Sequence, residues 1–90
     1  MKELLPVGSI VLLEGASKKS VIMGILQKNE EQPDTVYDYL GVPYPEGYMG
    51  PGSSYLFQHE HIAEVIAKGY EDEDRKKMMD LVGELLKKAN

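Results

Sequence analysis

Residues 55–67 read Tyr-Leu-Phe-Gln-His-Glu-His-Ile-Ala-Glu-Val-Ile-Ala (YLFQHEHIAEVIA), and their reading decides the fold. Tyr55-Leu56-Phe57 suits a short strand, because aromatic and branched residues fit a pleated, half-buried surface. Gln58-His59-Glu60-His61 reads as a tight turn or a single helical turn. Ile62–Ala67 fits two descriptions. Ile62, Val65 and Ile66 fall at i, i+3 and i+4, as on a helix, and the same run ends at Gly69 as a strand would. A helical turn at 59–62 followed by a strand at 64–68 is the favoured reading. A one-turn helix between the last two strands is what suggests closure of a small sheet into an SH3-like barrel. Closure also removes exposed strand edges.

Upstream lies 37–55, YDYLGVPYPEGYMGPGSSY, with five of the six tyrosines. Tyr37, Tyr39 and Val42 suit a strand over 36–42. Pro43 and Pro45 then remove two backbone donors and fix two φ angles, and Tyr44, before a proline, is pushed away from helical geometry. Pro45-Glu46-Gly47 offers a β-turn, and Gly50–Ser54 is a second punctuated run. The stretch 43–54 is therefore a loop stiffer than a Gly/Ser linker. Packing is the bland role for Tyr37, Tyr39 and Tyr55. Tyr44, Tyr48 and Met49, in the loop itself, are candidate partner contacts, since tyrosine brings area with few rotamers to freeze. The other role for Tyr44 and Tyr48 is a lid folded over the core.

Further upstream, Gly8–Glu14 and Ser20–Gln27 are apolar strands joined by the turn Gly15–Lys19, a hairpin pattern. Gly24 inside the second strand marks a bulge or bend. Lys28–Thr35 is a polar, acidic connection, and Met1–Val7 is a lead-in that Pro6 keeps from being helical.

Downstream, Glu71 or Asp72 caps a helix over 72–89, and the acidic run 71–74 suits its positive end. Met78, Leu81, Val82, Leu85 and Ala89 form an apolar stripe, widened by Met79 and Leu86. Lys87 and Lys88 suit the C-terminal end. Gly83 costs roughly 1 kcal/mol relative to Ala. The stripe has two readings: packing across the sheet, or a surface for a partner helix or a second copy, with Met78, Val82 and Leu85 as its contacts.

Ninety residues make one domain, 1–90, at the small end of what supports a core. The expected class is α+β: a strongly bent antiparallel sheet of four or five strands within 8–70, and a C-terminal helix. There is no cysteine, hence no disulfide or thiolate site, which fits a reducing compartment. No apolar run reaches the length of a signal peptide or a membrane span. A soluble cytoplasmic protein is the expectation.

Net charge is −5 and unevenly spread. Residues 1–28 are net +2. Residues 29–67 hold seven acids and no Lys or Arg, and residues 68–90 balance six against six. A loop in the one region without positive charge does not suit nucleic acid or an anionic membrane surface. It suits a basic or polar protein partner. His59 and His61, if extended, point to one side as two metal ligands would, but no third ligand is placed. A surface turn is the bland reading. No nucleophile elbow, acid–base spacing or phosphate-cradling loop is present, so no catalytic residue and no cofactor is assigned.

Three stretches carry a family resemblance: LPVGSIVLLEGASKKSVIMG (4–24), YDYLGVPYPEGYMGP (37–51) and YLFQHEHIAEVIAKGYEDED (55–74). Together they resemble the DUF4176 family of small Gram-positive bacterial proteins. The specific parts are the YPEGY-to-GP segment and the F-x-H-E…I-x-E-V-I-x-x-G-Y segment. An acidic residue is usual in that family where His61 stands, which weakens a shared His59/His61 metal site. The resemblance implies a type VII secretion locus, beside LXG toxins and small helical partner proteins. It implies an accessory role, binding the toxin's N-terminal targeting region as a chaperone or targeting factor. Two alternatives stand beside it. One is an immunity protein that blocks the toxin's catalytic domain. The other is a small metal- or ligand-binding domain using His59 and His61.

Overall fold

The computed structural model describes residues 3–89, and side chains through residue 86. In chain order it has β1 (Ile10–Leu13), β2 (Ser20–Gln27), β3 (Tyr37–Pro43), β4 (Tyr55–Phe57), a 3-10 turn (His59–His61), β5 (Ile62–Ala67) and α1 (Glu73–Ala89). The strands form one antiparallel sheet in the order β4-β3-β2-β1-β5. The α+β class, five strands and a C-terminal helix are as expected from the sequence. The ambiguity at 62–67 resolves as a strand. Leu13 pairs with Ile62, Leu12 with Glu64 and Val11 with Val65, so ladder bonds to the first strand outweigh the local helical spacing.

Three register shifts bend the sheet. One lies between Ile22 and Gly24, where the sequence placed a bulge, and two lie along the β1–β5 ladder. No ladder joins β4 to β5 among the described residues. The sheet is therefore open along that seam, and hydrogen bonds do not complete a barrel. At the end of β2, Leu26 takes a positive φ of 53°. That is uncommon for a bulky residue, and nothing in the sequence signals it.

The core is Leu4, Val11, Ile22, Tyr39 and Phe57. The Tyr39 and Phe57 rings meet at 5.4 Å. Gly41 makes room for this, because a Cβ there would stand 2.7 Å from Phe57 Cε1. The N-terminal arm is more than a lead-in: Leu4 and Pro6 are buried, and the Leu5 N–H donates to the Tyr39 hydroxyl at 2.9 Å. Ser9, also buried, donates to the Pro6 carbonyl and accepts the Gly69 N–H at 2.9 Å. It ties the arm to the segment after β5.

Asp72 caps α1, accepting the Arg75 N–H on Oδ1 at 3.2 Å. The face that packs is not the one centred on the sequence stripe. Arg75 donates from Nη2 to the Leu4 carbonyl at 2.6 Å and from Nε to Glu71 at 3.1 Å. This anchor turns Met79, Val82 and Leu86 toward the sheet, half-buried, and leaves Met78, Leu81 and Leu85 exposed. At about 100° per residue the helix is rotated by roughly 70° from the expected orientation. The side chains of Lys87, Lys88 and Ala89, expected at the C-terminal end of this helix, lie outside the described residues.

Candidate partner-binding surfaces

The 43–54 loop leaves the sheet where Pro43 pairs with Ser20. Its stem is braced against the β1–β2 turn. The Tyr44 N–H donates to the Lys19 carbonyl at 3.0 Å, and Lys18 Nζ meets Glu46 at 2.7 Å. That hydrogen bond from Lys18, and next a backbone hydrogen bond at Glu46 itself, hold the Glu46 carboxyl below the usual carboxylate range. The first turn is one residue longer than a β-turn. It closes through the Gly47 N–H to the Pro43 carbonyl at 2.7 Å, around a cis Tyr44–Pro45 bond. Gly47 has φ +76°, a backbone conformation that favours glycine. The second turn is closed by Ser53, whose hydroxyl donates to the Gly50 carbonyl at 2.6 Å and accepts the Met49 N–H at 2.9 Å. On the return, the Tyr55 and Ser20 hydroxyls share a 2.5 Å hydrogen bond.

Tyr44, Tyr48 and Met49 stand out from this frame, 41%, 57% and 62% exposed. They do not form a lid over the core. A loop whose backbone is already bonded loses little further freedom on binding, so apolar side chains carried by it make efficient contacts. Tyr37 and Tyr55, by contrast, have their hydroxyls engaged by other side chains of the same chain, Gln32 at 2.6 Å and Ser20.

The helix surface lies elsewhere. Ser20 pairs with Pro43 at one end of β2, and Gln27 pairs with Tyr37 at the other. The loop springs from the Ser20 end. The helix packs at the Gln27 end, where Leu26, Val36, Met79, Val82 and Leu86 line an apolar cleft of about 180 Å³. Eight strand residues separate the two ends by roughly 20 Å. The six residues singled out in the sequence therefore fall into two groups. Tyr44, Tyr48 and Met49 sit together on the loop. Met78 and Leu85 face outward on α1, with Val82 turned toward the sheet instead. Leu81, 60% exposed between Met78 and Leu85, belongs to the outward group. The sequence marked it as part of the stripe but not as a contact.

The His59-Glu60-His61 segment is a 3-10 turn rather than extended, and its imidazoles are used structurally. His59 Nδ1 shares a 2.6 Å hydrogen bond with the Tyr39 hydroxyl, and His61 Nδ1 accepts the Gln58 N–H at 3.2 Å. Asp38 accepts the His59 N–H at 2.7 Å, and Gln58 reaches back to the Asp38 N–H at 3.2 Å and the Val36 carbonyl at 3.3 Å. This network stitches β3 to the turn. Among the described residues no group of three His, Cys, Asp or Glu is arranged to hold a metal. No helix among them is long and apolar enough to cross a membrane.

Residues 4–78 match the family described as a domain of unknown function, DUF4176. The chain belongs to the DUF4176 family. The match takes in the whole sheet, the loop and the first turns of α1, and stops short of Leu81 and Leu85. No curated protein and no solved structure matches the chain.

Proposed function

We propose that this DUF4176 protein is a non-enzymatic accessory protein that binds another protein through the 43–54 loop. The observation that carries the proposal is the exposure of Tyr44, Tyr48 and Met49 on a loop braced at both ends of its stem. The partner is an exported LXG-type toxin, engaged through its N-terminal targeting region, and the protein acts as its chaperone or targeting factor in the cytoplasm. The outward face of α1, with Met78, Leu81 and Leu85, is a second contact surface suited to a helix of the toxin or of its small helical companions. Because it lies at the other end of β2, it makes its contacts independently of the loop.

A second reading rests on charge. Residues 29–67, which include the loop, are net −7. An acidic surface suits a basic nuclease-like domain, as an immunity protein would need. Co-expression with the N-terminal and C-terminal halves of the neighbouring toxin separates the two readings. Co-elution with the N-terminal half supports the targeting role. Co-elution with the C-terminal half replaces it with immunity, and no complex with either half rejects both.

A further inference from the structure

Helix α1 carries more apolar surface than the sheet covers. With Leu81 taken as zero and about 100° per residue, Met79, Val82 and Leu86 lie between about 100° and 160° and are half-buried toward the sheet. Leu81, Leu85 and Met78 fall at about 0°, 40° and 60°, and they are 60%, 57% and 40% exposed. Three large apolar side chains over two turns make a row that is ordinarily covered in water. Asp74 continues the row at about 20°, one turn before Met78. Lys77 and Glu84 flank it at about −40° and −60°, on the side away from Val82. Both are exposed, and among the described residues neither is in an ion pair.

These charges select what covers the row. Two copies of α1 laid antiparallel about a two-fold axis at Leu81 set Leu81 against Leu81. Met78 of each copy then meets Leu85 of the other, which gives three apolar layers. A two-fold axis of this kind brings the same flank of each helix together. Lys77 of each copy therefore stands beside Glu84 of the other, level to within about 1.5 Å. Asp74 comes level with residue 88, a lysine in the sequence. An axis one turn earlier, at Met78, sets Asp74 against Leu81. An axis one turn later, at Leu85, leaves Met78 past the end of the other helix. Parallel pairing in register sets Asp74 against Asp74. One arrangement therefore satisfies the apolar row and its flanking charges at once. A two-fold contact requires such self-complementarity, and flanking charge pairs fix the orientation of paired helices.

We propose that α1 is a self-association helix, through which two copies pair antiparallel by Met78, Leu81 and Leu85, with Lys77 and Glu84 fixing the register. Three apolar layers make a small interface, so the dimer is weak and populated at high protein concentration. The pairing needs no toxin, and a toxin helix that takes the same face displaces the second copy.

Sedimentation equilibrium of the protein alone, over a concentration series, tests this. The wild-type mass rises from 10.1 kDa toward twice that value. Leu81→Glu, at an exposed position outside the core, sets two carboxylates together at the axis and leaves the chain monomeric. Lys77→Glu and Glu84→Lys each place two like-charge pairs across the contact and weaken association roughly tenfold. An equimolar mixture of these two recovers wild-type association, because two glutamates of one variant then face two lysines of the other. Circular dichroism shows that each variant keeps its fold. A wild-type chain still monomeric at about 1 mM overturns the proposal. So does a Leu81→Glu variant that associates as the wild type does. Charge variants that match the wild type, or a mixture that fails to recover, reject the antiparallel register.

Discussion

Removing one oxygen atom, in Tyr39→Phe, tests how the N-terminal arm, the sheet and the 3-10 turn are joined. The Tyr39 side chain is fully buried. Its hydroxyl accepts the Leu5 N–H at 2.9 Å and shares a 2.6 Å bond with His59 Nδ1. Phenylalanine keeps the ring and its contact with Phe57, so the change leaves packing nearly intact. It leaves the Leu5 N–H and His59 Nδ1 without this partner in part-buried surroundings. Each lost bond costs about 1–1.5 kcal/mol, or about 2–3 kcal/mol together. For a domain of this size that is a large share of a stability of roughly 5–10 kcal/mol, and it lowers Tm by roughly 10–20 °C. Urea titration followed by far-ultraviolet circular dichroism measures it. The midpoint falls and the slope stays as in the wild type, because the surface exposed on unfolding is unchanged. His59→Ala breaks only one of the two bonds but also removes the ring that stands 5.8 Å from that of Tyr39, so it too lowers the midpoint. A Tyr39→Phe loss under about 0.5 kcal/mol would refute the reasoning, because neither bond would then be holding the arm.

Two glycines behave oppositely. At Gly69 a Cβ would stand 2.5 Å from the Val7 carbonyl oxygen and 2.9 Å from the Ser9 nitrogen. These are backbone atoms that cannot rotate away, so Gly69→Ala lowers stability by about 2 kcal/mol or more in the same urea titration. At Gly83 the space is open and the backbone helical, so Gly83→Ala raises stability by up to about 1 kcal/mol. Equal effects at the two positions would mean that the close approach at Gly69 is wrong. The Glu46 carboxyl, held low chiefly by Lys18, titrates below the usual carboxylate range in carbon-detected NMR, and Lys18→Ala moves it back up. Its folded value is below its unfolded one. The pair therefore braces the loop at pH above the ordinary carboxylate range, and the brace is lost as pH falls through the folded value. An unchanged Glu46 titration in Lys18→Ala would remove Lys18 as the cause.

Much of the fold was legible because its signals are local. The apolar runs of β1 and β2, the Tyr-rich β3 and the His-Glu-His turn each carry their own propensity, and Gly24 marked the bend that the ladder makes beside it. What escaped depends on distant partners. Pro6 reads as the end of any helix, but nothing local shows that Leu4 fills the core beside Tyr39. The one available signal was a buried tyrosine hydroxyl in need of a donor. The rotation of α1 escaped for a similar reason. Hydrophobic periodicity centres on Met78, Leu81 and Leu85, while Arg75, which no apolar pattern counts, decides which side faces the sheet. The exposure of Tyr44, Tyr48 and Met49 was legible from tyrosines set among prolines and glycines. Their separation from α1 was not, because it follows from the pairing of Ser20 with Pro43 and Gln27 with Tyr37.

The loop's role is tested most directly by calorimetric titration of the toxin's N-terminal region into the wild type and into the Tyr44→Ala/Tyr48→Ala variant. Circular dichroism confirms that both are folded. Loss of two central aromatic anchors costs over 2 kcal/mol, or roughly thirtyfold or more in Kd. Affinity within about threefold of the wild type, with the fold intact, would mean that the braced loop is not where the partner binds.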